Sequence, residues 1–261
     1  MKLSRKILIS VAAAVVLAPV ILWYAAVPNS AIPAIIASHA AGHGAEVRMS
    51  NFKKGPLLSF SADSVTVGYP GGSVLTLKRV RGRVNLLGLL ELRLLVHFRA
   101  KLSGGAMSGQ YAYSLFSGRG RLRAKVRGAR LSGFQIIKGA DGECMAQIEF
   151  FSGGPGRISG SLMFSANDLR NFPYGFKTAN GLVNITPDGL GIKSISLDSG
   201  QMYADVKGIV RGWTYNIRMD VSMEKGTAGE GTGQNPVQTL LSPYRVSPGY
   251  YVIPLSGKFH F

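Results

Sequence analysis

The residues in this chain whose spacing points most directly to chemistry are cations. The run Arg119-Gly-Arg121-Leu-Arg123-Ala-Lys125-Val-Arg127 has a cation at every odd position and an apolar residue or glycine at every even one. Strand side chains alternate between faces with a period of two, so this spacing gathers all five cations on one face. Arg79, Arg81 and Arg83 alternate with Val80 and Val84 in the same way, and Arg93, Arg99 and Lys101 alternate with an apolar set from Leu92 to Ala100. Rows of guanidinium and ammonium groups bind phosphate and carboxylate oxygens by charge-assisted hydrogen bonds. Three uses compete: anionic headgroups of phospholipid or lipopolysaccharide, a partner protein, or a solvated face whose charges keep the sheet from pairing edge to edge. Nucleic acid is not expected, because no exposed aromatics interleave the cations to stack on bases.

Chemistry of other kinds is missing. Lys177-Thr178 and Lys193-Ser194 lack the glycines of a phosphate loop, and Gly154-Pro-Gly156-Arg-Ile-Ser-Gly160 has one residue too many for a dinucleotide loop. No GxSxG elbow occurs, and the acids from Asp141 to Glu230 form no evident pair. His39 and His43 are four apart, but Ala40 stands where a zinc protease needs glutamate, so no metal is expected. Cys144, the single cysteine, reads as a small buried hydrophobe. A non-enzymatic protein without a cofactor is the expectation.

The cations also account for most of the charge. Of 261 residues, 30 are Lys or Arg and 13 are Asp or Glu, a net charge of +17. Residues 78–130 hold 13 basic side chains against the single acid Glu91, and Lys2, Arg5 and Lys6 add three more at the N-terminus. The remaining segments are close to neutral. With 34 glycines and only 16% charged residues, the composition favours many turns and a β-rich fold.

The first element that must position this charge is an anchor. Residues 7–27, ILISVAAAVVLAPVILWYAAV, are 21 residues without a charge. At about 1.5 Å per residue they match a hydrocarbon layer of ~30 Å. Ile7, Leu17, Ile21 and Val27 lie along this helix, and Trp23 and Tyr24 sit near its far end, where amphipathic rings favour the interface. A cleaved signal peptide is the alternative, but Ala25-Ala26-Val27 is a poor cleavage site and the apolar stretch is long. Lys2, Arg5 and Lys6 precede the helix and residues 28–47 lack Lys and Arg, so the N-terminus is expected in the cytoplasm. The remainder is then expected in a bacterial periplasm, as the bulk of a single-pass inner-membrane protein.

Beyond the anchor and cytoplasmic tip (1–27), residues 28–43 read as a short juxtamembrane helix begun at Ser30 and closed by Gly42. Residues 44–223 alternate with glycine-bearing turns every ten to fifteen residues, the pattern of an antiparallel meander. Leu58, Phe60 and Ala62 share one parity and Val65, Val67 and Tyr69 the other, so a bulge near Asp63-Ser64 is expected. Gly71-Gly72 and Asp188-Gly189 mark hairpins. Residues 224–236 read as a flexible linker, and 237–261 as a short helix and a final strand. The fold class is mainly β, an N-terminal transmembrane helix followed by an elongated, curved antiparallel β-sheet with few short helices. Its apolar face must fold over, close, or hold something.

This order of features, with Val84-Asn-Leu-Leu-Gly-Leu-Leu90 and the closing Gly249-Tyr-Tyr-Val-Ile-Pro-Leu-Ser-Gly257, is similar to the type II secretion system protein N family. That resemblance implies a non-enzymatic, inner-membrane-anchored periplasmic component of protein secretion, with other secretion subunits as partners. Residues 31–109 also resemble the N-terminal part of AsmA-like proteins, which implies a grooved β-sheet and envelope lipid transport. An outer-membrane barrel, suggested by Phe259 and Phe261, is disfavoured by the apolar helix and by the lack of an aromatic girdle.

Overall fold

The computed structural model describes residues 21, 23–41, 45–68, 74–85, 87–88, 91–134, 141–153, 157–171, 175–212, 214–223 and 236–258. Most of the expected span, with Ile7 and Leu17, lies outside the described residues, as do His43, Gly71-Gly72, Phe259, Phe261 and all of the expected linker but Pro236. Residues 21 and 23–25 are helical, and no helix among the described residues is long and apolar enough to cross a membrane. The chain divides into two compact units, residues 1–102 with 106–117, and residues 103–105 with 118–261. Both are mainly β and antiparallel, with few short helices.

The smaller unit opens with α1 (Ala31–Ala41), whose Pro33 is tolerated because first-turn N–H groups have no intrahelical acceptor. Strands follow as β1 (Glu46–Ser50), β2 (Lys53–Gly55), β3 (Ser59–Gly68), β4 (Val74–Val84), β5 (Arg93–Leu102) and β6 (Gly105–Ser114). They lie in the order β1-β3-β4-β5-β6, with β2 paired to the start of β3. The core gathers Ala62, Val80 and Ala100 with Phe52, Val65, Leu77 and Met107. Ala62 and Val65 are an odd number of residues apart, and a regular strand would send them to opposite faces. They share a core because the ladder is irregular there. Arg79 adopts φ 52°, and the β4–β5 register slips between Lys78 and Arg81. The irregularity expected at Asp63-Ser64 is thus expressed across the ladder, on the neighbouring strand. Gly82 is required by contact: the Phe60 ring, stacked 6.0 Å from Phe52, lies over it, and a Cβ at residue 82 would sit 2.1 Å from a ring atom.

Lys54 in β2 ties the N-terminal segment to this unit. Its ammonium donates to the carbonyls of Trp23 (2.7 Å), Tyr24 (3.2 Å) and Val27, and lies 6.0 and 5.8 Å from the Trp23 and Tyr24 ring centres. A cation here satisfies the otherwise open carbonyls of a helix C-terminus and opposes its dipole.

The larger unit runs β7 (Gly120–Arg130), β8 (Asp141–Ser152), β9 (Ile158–Arg170), β10 (Thr178–Thr186), β11 (Gly189–Asp198), β12 (Met202–Arg211) and β13 (Thr214–Met223), then α2 (Pro236–Leu241), β14 (Arg245–Ser247) and β15 (Tyr250–Lys258). Each strand from β7 to β12 pairs with its successor; β15 then pairs with β13 and carries β14 on its outer edge. Phe176 and Leu241 of α2 pack on Ala204, Val221, Tyr251 and Ile253. Leu131 in a 3-10 turn (Leu131–Gly133) and Phe134 pack on Ala166, Leu169 and Ala179. Both clusters use the same ends of the strands, so one end of the sheet is packed.

Candidate functional site

Cross-strand register turns the apolar half of the larger unit into rows. Ala129, Cys144, Ala166, Ala179, Leu197, Ala204, Val221 and Tyr251 are successive partners across eight strands. This row lies under the packed end, with Ala129 and Ala204 at 0% exposure. Two further rows run from Val126 to Ile253 and from Ala124 to Leu255. The last reads Leu122, Phe150, Gly160, Ile185, Leu190, Val210, Tyr215 and Gly257. No charged residue interrupts any row. Cover decreases from the first row to the last: Leu255 in the third and Leu190 in the fourth, the rows farthest from α2, are 40% and 42% exposed. The face is therefore a core at one end and an accessible apolar surface at the other. Burial pushes the Cys144 thiol up, which suits a packing role over a nucleophilic one.

The opposite face of the larger unit carries the second half of the expected cation ladder. In β7, Arg121, Arg123, Lys125 and Arg127 are all exposed while Ala124 and Val126 are buried; Arg119 is exposed just before the strand. Two of these cations are engaged. Arg121 and Arg123 donate through Nε to Glu149 Oε1 at 2.7 and 2.8 Å, Arg121 Nη2 reaches the same oxygen, and the Arg121 guanidinium lies 4.8 Å from the Phe151 ring centre. The register that places Glu149 opposite Arg123 is not readable from either strand alone, and Glu149 was not expected as a partner. Lys125 and Arg127 make no ion pair among the described residues. They border an open hollow of about 510 Å³ floored by Met145, Met163 and Leu182, with Asn180 and Ser196 beyond. Met145 and Met163 break the polar parity of β8 and β9, the one sequence signal that marks them.

Hydrogen bonds from Arg123 and then Arg121 hold the Glu149 carboxyl below the usual glutamate range. Its lowered folded-state pKa contributes stability that is full above the ordinary range and fades as the pH falls through the folded value. Melting curves of wild type and Glu149→Gln are therefore expected to differ at neutral pH and converge in acid. A gap that stays constant down to low pH would contradict the pairing.

The other expected cations lie in the smaller unit, and register pairs them with one another. Lys78 is opposite Lys101, Arg81 opposite Arg99, and Arg83 opposite His97. All six are exposed, and none makes an ion pair among the described residues. Like charges directly opposite each other on antiparallel strands are destabilising. Arg79 sits in the bulge, and Arg93 pairs loosely with Glu91 at 3.8 Å. On the other flank these β4 cations meet serines: Ser64, Ser61 and Ser59 stand opposite Lys78, Arg81 and Arg83. The arrangement leaves a strip of six exposed basic side chains that make no ion pair among the described residues.

Of the expected anchor residues, Ile21 and Tyr24 are 61% and 49% exposed, and Trp23 and Val27 are half-buried against Lys54. Among the described residues, no three His, Cys, Asp or Glu side chains come together as metal ligands. No protein-family model, no curated protein and no solved structure matches this chain.

Proposed function

We propose that the chain is a non-enzymatic component of the bacterial cell envelope, anchored in the inner membrane through residues 7–27, whose larger unit holds lipid acyl chains on its apolar face in the periplasm. The observation that carries this reading is the gradient of cover across the apolar rows, from Ala129 and Ala204 at 0% exposure in the first to Leu190 at 42% in the last. An exposed apolar surface bounded by polar residues marks an interaction site. Each methylene moved from water onto it gains about 0.8 kcal/mol, against almost nothing when moved from a bilayer. Such a face exchanges chains with a membrane without trapping them. The elongated, curved sheet expected from the sequence belongs to the same proposal, since curvature around the rows brings more of them against one chain.

The test is photo-crosslinking of the full-length chain by a phospholipid with a diazirine in its acyl chain, with modified residues mapped by peptide mass spectrometry. Crosslinks at the open ends of β7 to β13 and β15 are expected, and Leu190→Arg should reduce them several-fold without lowering the melting temperature appreciably. Crosslinks confined to 7–27 would remove the lipid-carrying role. The reading that rests on the secretion-family resemblance would then lead, with co-purification of secretion subunits as its own check.

A further inference from the structure

One end of the smaller unit concentrates exposed large apolar side chains. Phe116 is 91% exposed, Leu87 70%, Leu92 56%, Leu115 55% and Leu57 52%. Backbone hydrogen bonds join the segments that bear them into one edge. Val84 N–H donates to Leu58 O (3.1 Å), Asn85 N–H to Leu95 O (2.7 Å) and Leu115 N–H to Leu92 O (2.9 Å). Leu57, Leu58 and Leu92 have φ of 52°, 58° and 55°, the left-handed region that costs a leucine energy. Strain of this kind persists where the surroundings over-determine it, often at functional positions. Leu58 is covered, at 4% exposure, but Leu57 and Leu92 are held outward, where an edge built only for packing would have its leucines under cover.

Two observations identify what this edge meets. First, its flank is cationic: Lys53, Arg83 and Arg93 are exposed beside it, and Glu91, the acid of its longest loop, faces Arg93 at 3.8 Å. Apolar tips backed by cations match the order of acyl chains and anionic headgroups at a membrane interface. Second, the chain leaving the expected anchor arrives at the same end. Lys54, which holds the Trp23, Tyr24 and Val27 carbonyls, is opposite Phe60, and Phe60 is opposite Gly82, two residues before Val84. The other end of the ladder, where Glu46 pairs with Gly68, lies the length of β3 away.

We propose that this edge, formed by Leu57, Leu87, Leu92, Leu115 and Phe116, inserts into the anionic bilayer interface beside the anchor as a second membrane contact that fixes the orientation of the smaller unit. The inference rests on the membrane reading of residues 7–27, and the experiment separates the two. Phe116→Cys, Leu87→Cys and Glu46→Cys, each made with Cys144→Ala, are labelled with an environment-sensitive fluorophore. The full-length chains are then reconstituted into phosphatidylglycerol–phosphatidylethanolamine vesicles and floated. Labels at 116 and 87 are expected to be quenched by nitroxide lipid and to lose most of their quenching by aqueous acrylamide, while the label at 46 stays accessible to acrylamide. Flotation with all three labels equally accessible to acrylamide would overturn the second contact and leave the anchor standing, with a protein partner as the occupant to seek. Failure to float would overturn both.

Discussion

Gly208→Ala is expected to destabilise the larger unit by about 3 kcal/mol, lowering its melting temperature by roughly 10 °C. Gly208 lies in the third apolar row with φ 156°, and a Cβ there would meet Asn216 O at 2.3 Å and Ile217 Cα at 2.7 Å. Both atoms belong to the backbone of β13, so relief requires the β12–β13 ladder to move. Two companion variants isolate the cause. Gly200→Ala also has a positive φ, 86°, but nothing within 4 Å of the added carbon, and should cost about 1 kcal/mol. Gly191→Ala has an ordinary φ and only Asn184 O nearby, at 3.9 Å, and should be nearly neutral. Thermal melts that rank the three equally would show that strand proximity is not what selects glycine at residue 208.

Neutralising Arg81 and Arg99 together, as Arg81→Gln with Arg99→Gln, should weaken partitioning of the smaller unit's cationic strip onto anionic membranes by about thirtyfold at low salt. Each cation near such a surface contributes about 1 kcal/mol, and two contribute ~2 kcal/mol. The same change should raise the melting temperature, because it removes a like-charge pair from the β4–β5 ladder. Opposite signs for binding and stability are the informative result: a charge kept at a cost to the fold is kept for a partner. Vesicle co-sedimentation across a salt series, beside thermal melts, measures both. Reversal of Arg121, Arg123 and Lys125 is a less clean experiment, since new acids would surround Glu149 and change the fold's electrostatics as well as its surface.

Some of this architecture was legible in the chain itself. In β7 as far as Arg127 each parity has one chemical character, so Arg121 to Arg127 could be assigned a face from period two alone. The switch of parity between Ala62 and Val65 announced an irregular ladder, although the strained residue is Arg79 on the next strand, a fact that depends on register. The three-residue strands β2 and β14 were not legible, because three residues are too few to show alternation. Neither was the division of the basic tract between two units near Ser103 and Gly118, which leaves no mark in composition. For the sites, the cations were legible but their circumstances were not. Glu149 takes two of them and Lys78, Arg81 and Arg83 face Lys101, Arg99 and His97, both consequences of pairings set by bulges at Gly128 and Arg79. The apolar character of the inner rows was visible; the gradient of cover was not, because it depends on where Phe176, Leu131 and Leu241 come to rest.

The successive pairing from β7 to β13 has a consequence for how the larger unit is made. Each strand's partner is its immediate predecessor, so every new ladder closes only a short loop and the mean sequence separation of contacts stays low for a β protein. A chain synthesised from its N-terminus can then zip one hairpin at a time, with no strand waiting long for its mate. Among the described strands of the larger unit, β15 alone reaches back past α2 and β14 to join β13, so the ladder with the longest connection is the last to be secured.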